Sequence, residues 1–157
     1  MEYETLLKEY DNSKLIIREK PLRGSMGRIK GNRIAIRKDM TESQKACVLA
    51  EELGHYHTTV GNILDQTSVE NVKQERRARI WAYEKQIGLQ GLVNCFEERC
   101  RTEYEMATSL GVTEEFLKEA LTYYKQKYGV YTKYQYYTIY FEPTLLIHKN
   151  SKGESIC

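Results

Sequence analysis

No apolar run in this chain of 157 residues approaches the roughly 20 residues that a membrane span needs. The first residues, Met1-Glu2-Tyr3-Glu4, are acidic and lead into no signal-peptide core, so a cytoplasmic protein is expected. Histidine is scarce. With only His55, His57 and His148, an all-histidine metal site is disfavoured, and carboxylates would have to supply most ligands. The four cysteines, Cys47, Cys95, Cys100 and Cys157, form no Cys-x-x-Cys pair. That excludes the usual zinc-ribbon and redox signatures and leaves free thiols as the expectation. Excess charge is lacking too: the net value is +2, so bulk charge makes no case for nucleic acid.

What is present is enough for one folded unit with a real core. Tyr3, Leu6, Leu7 and Tyr10 recur at helical spacing, so a short amphipathic helix is predicted there. Leu15-Ile16-Ile17 reads as a strand stopped by Pro21. Arg28-Ile29-Lys30 and Arg33-Ile34-Ala35-Ile36-Arg37 read as two strands joined at Gly31-Asn32, both residues that tolerate positive φ. The stretch from Lys14 to Lys38 carries nine cations against Glu19 alone. It reads as a charged edge that discourages aggregation, with an acidic partner or nucleic acid as the alternative.

Thr41-Glu42-Ser43-Gln44 is a capping box, and the helix it opens holds Val48-Leu49-Ala50-Glu51-Glu52-Leu53-Gly54-His55-Tyr56. Glu51 and His55 lie at i and i+4, on one face about a turn apart. Glu52 is one step round from them. Gly54 costs ~1 kcal/mol inside a helix, which implies that something approaches closely there. Gly61 is the expected stop. A second long helix begins near Ser68 and ends before Gly88, with Glu75, Ala78, Arg79 and Ala82 along one side and Trp81 turned to the core. Packed antiparallel, the two helices would bring Glu75 beside Glu51 and His55. Those three would bind a divalent ion, the fourth position going to water, and Glu52 would take that water's proton. The alternative is a solvated acidic face with one histidine near the core. His57, two residues past His55, points away unless the helix unwinds.

Further on, Thr102 to Leu117 outlines two helices meeting at Gly111, the second capped by Thr113. This is the shape of a helix-turn-helix, but its second helix opens with Glu114, Glu115 and Glu119, a poor face for phosphates. A structural helical hairpin is the favoured reading, and direct DNA binding by the protein is not expected. Tyr136 to Phe141 and Leu145 to Ile147 read as strands.

Three separated blocks, in order, resemble the ImmA/IrrE metallopeptidases. Ala50-Glu51-Glu52-Leu53-Gly54-His55-Tyr56 resembles the family's His-Glu-Leu-Gly-His segment. Asn32 to Ile36 followed by Thr41 to Lys45 resembles the strand and helix entry before it. Glu75-Arg76-Arg77-Ala78-Arg79-Ile80-Trp81-Ala82 resembles the second-helix pattern Glu-x-x-Ala-x-x-aromatic-Ala. The stretch from Cys100 to Gly129 is similar to the C-terminal part of members carried by phages and integrative elements. The resemblance implies a zinc-dependent endopeptidase, with Glu52 as base and His55 and Glu75 as ligands. It also implies a helix-turn-helix repressor as the protein cut or disabled, inducing mobile-element genes. One departure stands out. Glu51 occupies the place of the family's first histidine, and an anionic ligand there weakens Lewis acidity and shifts preference toward Mn²⁺ or another oxygen-loving ion. Loss of tight metal binding would leave a non-catalytic anti-repressor.

The expected architecture is α+β, a small antiparallel sheet packed on zincin-like metal-bearing helices with a helical C-terminal region. Residues 1–90 would form the peptidase-like core, and residues 91–157 the helical region and tail, in one compact unit. No membrane association is expected.

Overall fold

The computed structural model describes residues 1–59 and 68–151. Gly61, expected to stop the key helix, lies outside the described residues. Helix α1 (Tyr3–Glu9) leads to strands β1 (Ile16–Lys20), β2 (Gly27–Lys30) and β3 (Arg33–Arg37), followed by α2 (Glu42–Thr58) and α3 (Ser68–Gln86). Then come α4 (Gly88–Glu97), α5 (Glu103–Leu110), α6 (Glu114–Tyr128), β4 (Tyr131–Tyr134), β5 (Tyr137–Tyr140) and β6 (Leu146–Lys149). The class is α+β, as expected.

The first sheet has the order β1-β3-β2. Strands β2 and β3 form the hairpin anticipated at Gly31, whose φ is +60°. Strand β1 runs parallel to β3, so the sheet is mixed rather than purely antiparallel. The physical reason is that β2 takes the far edge: the chain passes over the place of β3 before turning back into it. Register settles the faces. Ile17 and Ile29 both pair with Ile34, and Glu19 and Gly27 both pair with Ile36. Ile34 and Ile36 are buried, so this row faces inward. Glu19 shares the inner row and is held by an ion pair, 3.1 Å, to Lys45 of α2.

Helix α2 starts with both halves of its capping box. Thr41 Oγ1 accepts from the Gln44 N–H at 3.2 Å, and Gln44 Oε1 accepts from the Thr41 N–H at 3.0 Å. Its Ala46, Leu49, Ala50 and Leu53 have no exposed surface and meet the inner sheet row on one side and the helices on the other. Helices α5 and α6 meet at Gly111, in the left-handed region at φ +69°, as a hairpin whose Phe116, Leu117, Ala120 and Tyr124 point into the core. Tyr124 is fully buried. Its hydroxyl donates to the Tyr83 carbonyl and accepts from the Gly88 N–H, each at 3.0 Å, so it ties the α3–α4 junction to α6.

The C-terminal region is not wholly helical. Strands β4, β5 and β6 make a second, antiparallel sheet. Strand β4 was not anticipated, since Tyr131-Thr132-Lys133-Tyr134 has no aliphatic row to mark it. Its pairing with β5, which carries the buried Ile139, makes it a strand.

Helices α2 and α3 approach each other closely at Gly54. A Cβ placed on Gly54 would lie 2.3 Å from the Ala78 carbonyl oxygen and 2.9 Å from its Cα. Gly54→Ala should therefore destabilise. Alanine gains ~1 kcal/mol in helix propensity, but the clash forces the helices apart at about 1–3 kcal/mol. The expected net result is a lower urea midpoint at unchanged slope, and a raised midpoint would contradict the close approach.

Candidate active site

The Gly54–Ala78 crossing decides what α2 and α3 present to each other. Contacts run in opposite chain directions along the two helices: His55 meets Glu75, Gly54 meets Ala78, and Glu51 feels Arg79. The helices are thus antiparallel. His55 Nε2 lies 3.3 Å from Glu75 Oε1. Of the sequence-predicted ligands, these two are brought together.

Glu51 sits half-buried one turn before His55. Burial holds its carboxyl above the usual carboxylate range; Arg79 opposes this, while Glu119 and Glu75 add to it. Glu52 is half-buried as well and turns toward the sheet. A Cβ on Gly27 of β2 would lie 2.8 Å from Glu52 Oε1 and 2.5 Å from Val48 Cγ1. Glycine at that point is what lets the edge strand lie over Glu52. Burial, and then the charges of Glu51 and Glu75, push the Glu52 carboxyl up to about 7. A carboxyl tuned to neutral pH suits general acid–base work.

His57 belongs to a different surface. Helix α2 stays regular through Thr58, so His57 points away from His55. Its ring stacks on Trp81 of α3 at 4.9 Å and 20°, and its Nε2 lies 2.8 Å from the Tyr10 hydroxyl. Burial and the nearby Lys85 lower its pKa. It clamps α2 to α3 and to the segment after α1. Trp81, expected in the core, is half-buried under that ring. His148 is on β6, paired with Thr138 in the other sheet.

Beside the His55–Glu75 pair opens a groove of about 790 Å³ between α3 and α6, lined in part by Val72, Glu75, Arg79, Tyr83, Glu119 and Tyr123. Glu75 was legible in the sequence; Arg79 as a neighbour of the acidic cluster was not, nor was Gly27. A glycine opening a strand on the core-facing register was the available signal for the latter.

A family model described as the IrrE N-terminal-like domain, peptidase M78, matches residues 6–122. The chain belongs to this family. No curated protein and no solved structure matches it significantly. Membership makes this a peptidase-like domain of a family that is generally metal-dependent.

The residues present can be tested against such an ion. Two ligand atoms at ~2.0–2.1 Å from a tetrahedral centre are about 3.3 Å apart, which is the spacing of His55 Nε2 and Glu75 Oε1. The charge fits too: Glu51 and Glu75 both raise the Glu52 carboxyl, Glu119 and Glu75 raise that of Glu51, and Arg79 opposes them at Glu51. A divalent cation would relieve that repulsion. Glu51 is the member out of place. Among the described residues no three histidine, cysteine or carboxylate side chains are gathered as a ligand set. A third ligand requires the Glu51 side chain to swing toward the pair.

His57→Ala should lower stability by about 0.5–1.5 kcal/mol through loss of the Trp81 stack and leave the metal content of the purified protein unchanged. Loss of metal together with stability would place His57 among the ligands.

Proposed function

We propose that this protein is a metal-dependent endopeptidase acting on a helix-turn-helix repressor, thereby derepressing genes of a phage or integrative element. The observation that carries the peptidase reading is the convergence of His55 and Glu75 at 3.3 Å beside a half-buried Glu52. His55 and Glu75, with Glu51 as third, would hold Zn²⁺, or Mn²⁺ given two carboxylates in the set. A cation in that position supplies polarisation of the scissile carbonyl and a lowered pKa of water.

The chain's own residues do the rest. Strand β2 is an edge of its sheet, so its outer backbone groups are free to pair with an extended segment of the substrate. Gly27 sets that edge directly over Glu52. Glu52 takes a proton from the attacking water as oxygen bonds to the carbonyl carbon. It returns that proton to the amide nitrogen as the C–N bond breaks. Arg79 favours the ionised form of Glu51 against the pull of its burial. The groove between α3 and α6 offers aromatic and charged walls to side chains of the substrate. The repressor as substrate rests on the resemblance of the Cys100–Gly129 stretch to mobile-element members of the family.

One observation favours a second reading, a non-catalytic anti-repressor. Glu51 is not gathered with His55 and Glu75 among the described residues, and by the motif resemblance it takes the place of a histidine. In that case the fold grips the repressor without cutting it.

Glu52→Gln should abolish cleavage of the repressor while metal content is retained. Undiminished cleavage by that variant would refute the assigned base. Metal analysis separates the two readings. One equivalent of zinc or manganese in the wild type, lost in His55→Ala and Glu75→Ala, supports the peptidase. Substoichiometric metal after loading, with repressor binding intact, supports the anti-repressor.

A further inference from the structure

The inner face of the first sheet is used by α2. Its outer face is bare and chemically uniform. Register puts Arg18 and Arg28 on either side of Ala35, Lys30 beside Arg33, and Lys20 beside Arg37. These six cations, with Ile16 and Ala35, make up the outward row of all three strands. No carboxylate stands among them, because Glu19, the one acid in these strands, faces inward to Lys45. None of the six enters an ion pair among the described residues. Arg18, Lys20, Arg28, Lys30 and Arg33 line one shallow depression on this face.

Edge protection does not account for this arrangement. Charged residues guard edge strands against pairing, yet Arg33 and Arg37 are on β3, the central strand, which has no edge to guard. Nor does overall charge account for it. The chain's balance is only +2, so the residues outside this face are net acidic and unopposed positive charge gathers here.

We propose that the outer face of the β1-β3-β2 sheet binds the phosphate backbone of double-stranded DNA. This inference is independent of the peptidase reading. It also concerns a different surface from the α5–α6 hairpin, whose acidic second helix spoke against DNA. Four of the six cations are arginines, whose planar fork fits phosphate oxygens. Alternate residues on a strand are ~6.6–6.8 Å apart and neighbouring strands ~4.8 Å apart, so the cations form a two-dimensional array able to follow a backbone. A single strand is a poorer occupant, since no aromatic ring projects from this face for bases to stack on. A protein interface would need an apolar core with aromatic anchors, and among the described residues this face and its depression offer Ile16, Leu22 and Ala35 but no ring. Every polar group in the array is a donor, which suits phosphate oxygens and leaves the donating O–H of a ribose 2′-hydroxyl unread. Contacts of this kind carry no base sequence information.

The test is fluorescence anisotropy of the full chain with a labelled random-sequence DNA duplex over a salt series. With about four to six phosphates neutralised, log K should fall against log[salt] with a slope between about −3.5 and −5.5. Arg18→Gln/Arg28→Gln should flatten the slope by about two and weaken binding about tenfold or more. Lys8→Gln/Lys133→Gln, which removes equal charge from α1 and β4, should leave both unchanged. Equal weakening by the two pairs would reduce the effect to bulk charge and overturn the proposal. So would a salt-independent affinity, or tighter binding to poly-glutamate, to an RNA duplex or to single-stranded DNA. The substituted side chains are exposed, and circular dichroism checks the fold of each variant. Acetylation of the wild-type protein gives a variant-free reading: the duplex should protect Lys20 and Lys30 and leave Lys8 reactive, and unprotected Lys20 and Lys30 would refute the assignment.

Discussion

The contact between Gly54 and the Ala78 backbone governs the rest of the site. Two α-helices ordinarily pack with axes ~8–10 Å apart, the distance being set by the side chains at the crossing. Here one residue contributes no side chain and the other a methyl, so α2 and α3 meet backbone to backbone. The consequence reaches both sides of the crossing. On one side it brings the short carboxylate of Glu75 to His55 Nε2. On the other it brings the rings of His57 and Trp81 to stacking distance. An added methyl at Gly54 would push both pairs apart. The helix-propensity cost of Gly54, in the last turns of α2 (Glu42–Thr58), is therefore offset by two tertiary contacts that depend on it.

That closeness concentrates negative charge. Glu51 and Glu52 are adjacent on α2, Glu75 faces them from α3, and burial removes much of the water that would screen them. Two responses are open to such a cluster: to take up protons or to take up a cation. The raised carboxyls of Glu51 and Glu52 express the first. Arg79 is a partial answer of the second kind, built into the chain. A carboxylate at Glu51, where an imidazole would be a neutral donor, adds a charge to this balance. Attraction for a divalent ion rises with that charge, while the ion's power to polarise a carbonyl falls. Affinity and Lewis acidity are therefore pulled in opposite directions by one carboxylate.

Much of this was legible in the sequence, for local reasons. Thr41 and Gln44 announce the start of α2 because capping requires those groups at that spacing, and both hydrogen bonds are present. Gly54 announces a close approach because nothing else explains a glycine there, although the sequence does not say which element approaches. Gly31, Gly88 and Gly111 all mark turns at positive φ. What was not legible is non-local. The parallel pairing of β1 with β3 depends on which edge β2 occupies, and no residue in β1 encodes that. Strand β4 is specified by its partner β5. Arg79 enters the acidic cluster only through the crossing geometry, and Gly27 meets Glu52 only once the sheet is laid on α2.

The two faces of strand β2 join the halves of the molecule's chemistry. Side chains alternate along a strand, so Gly27 and Ile29 turn to α2 while Arg28 and Lys30 turn outward. The inward glycine cannot be enlarged without displacing Glu52 or Val48. The outward cations are under no such constraint, since they touch nothing on the inner side. A shift of register by one residue would exchange the two sets, burying Arg28 against Glu52 and exposing Ile29. The buried Ile34 and Ile36 forbid that slip. The same pairing that keeps the edge strand seated over Glu52 thus keeps the cations on the open face, and neither surface can be rearranged without losing the other.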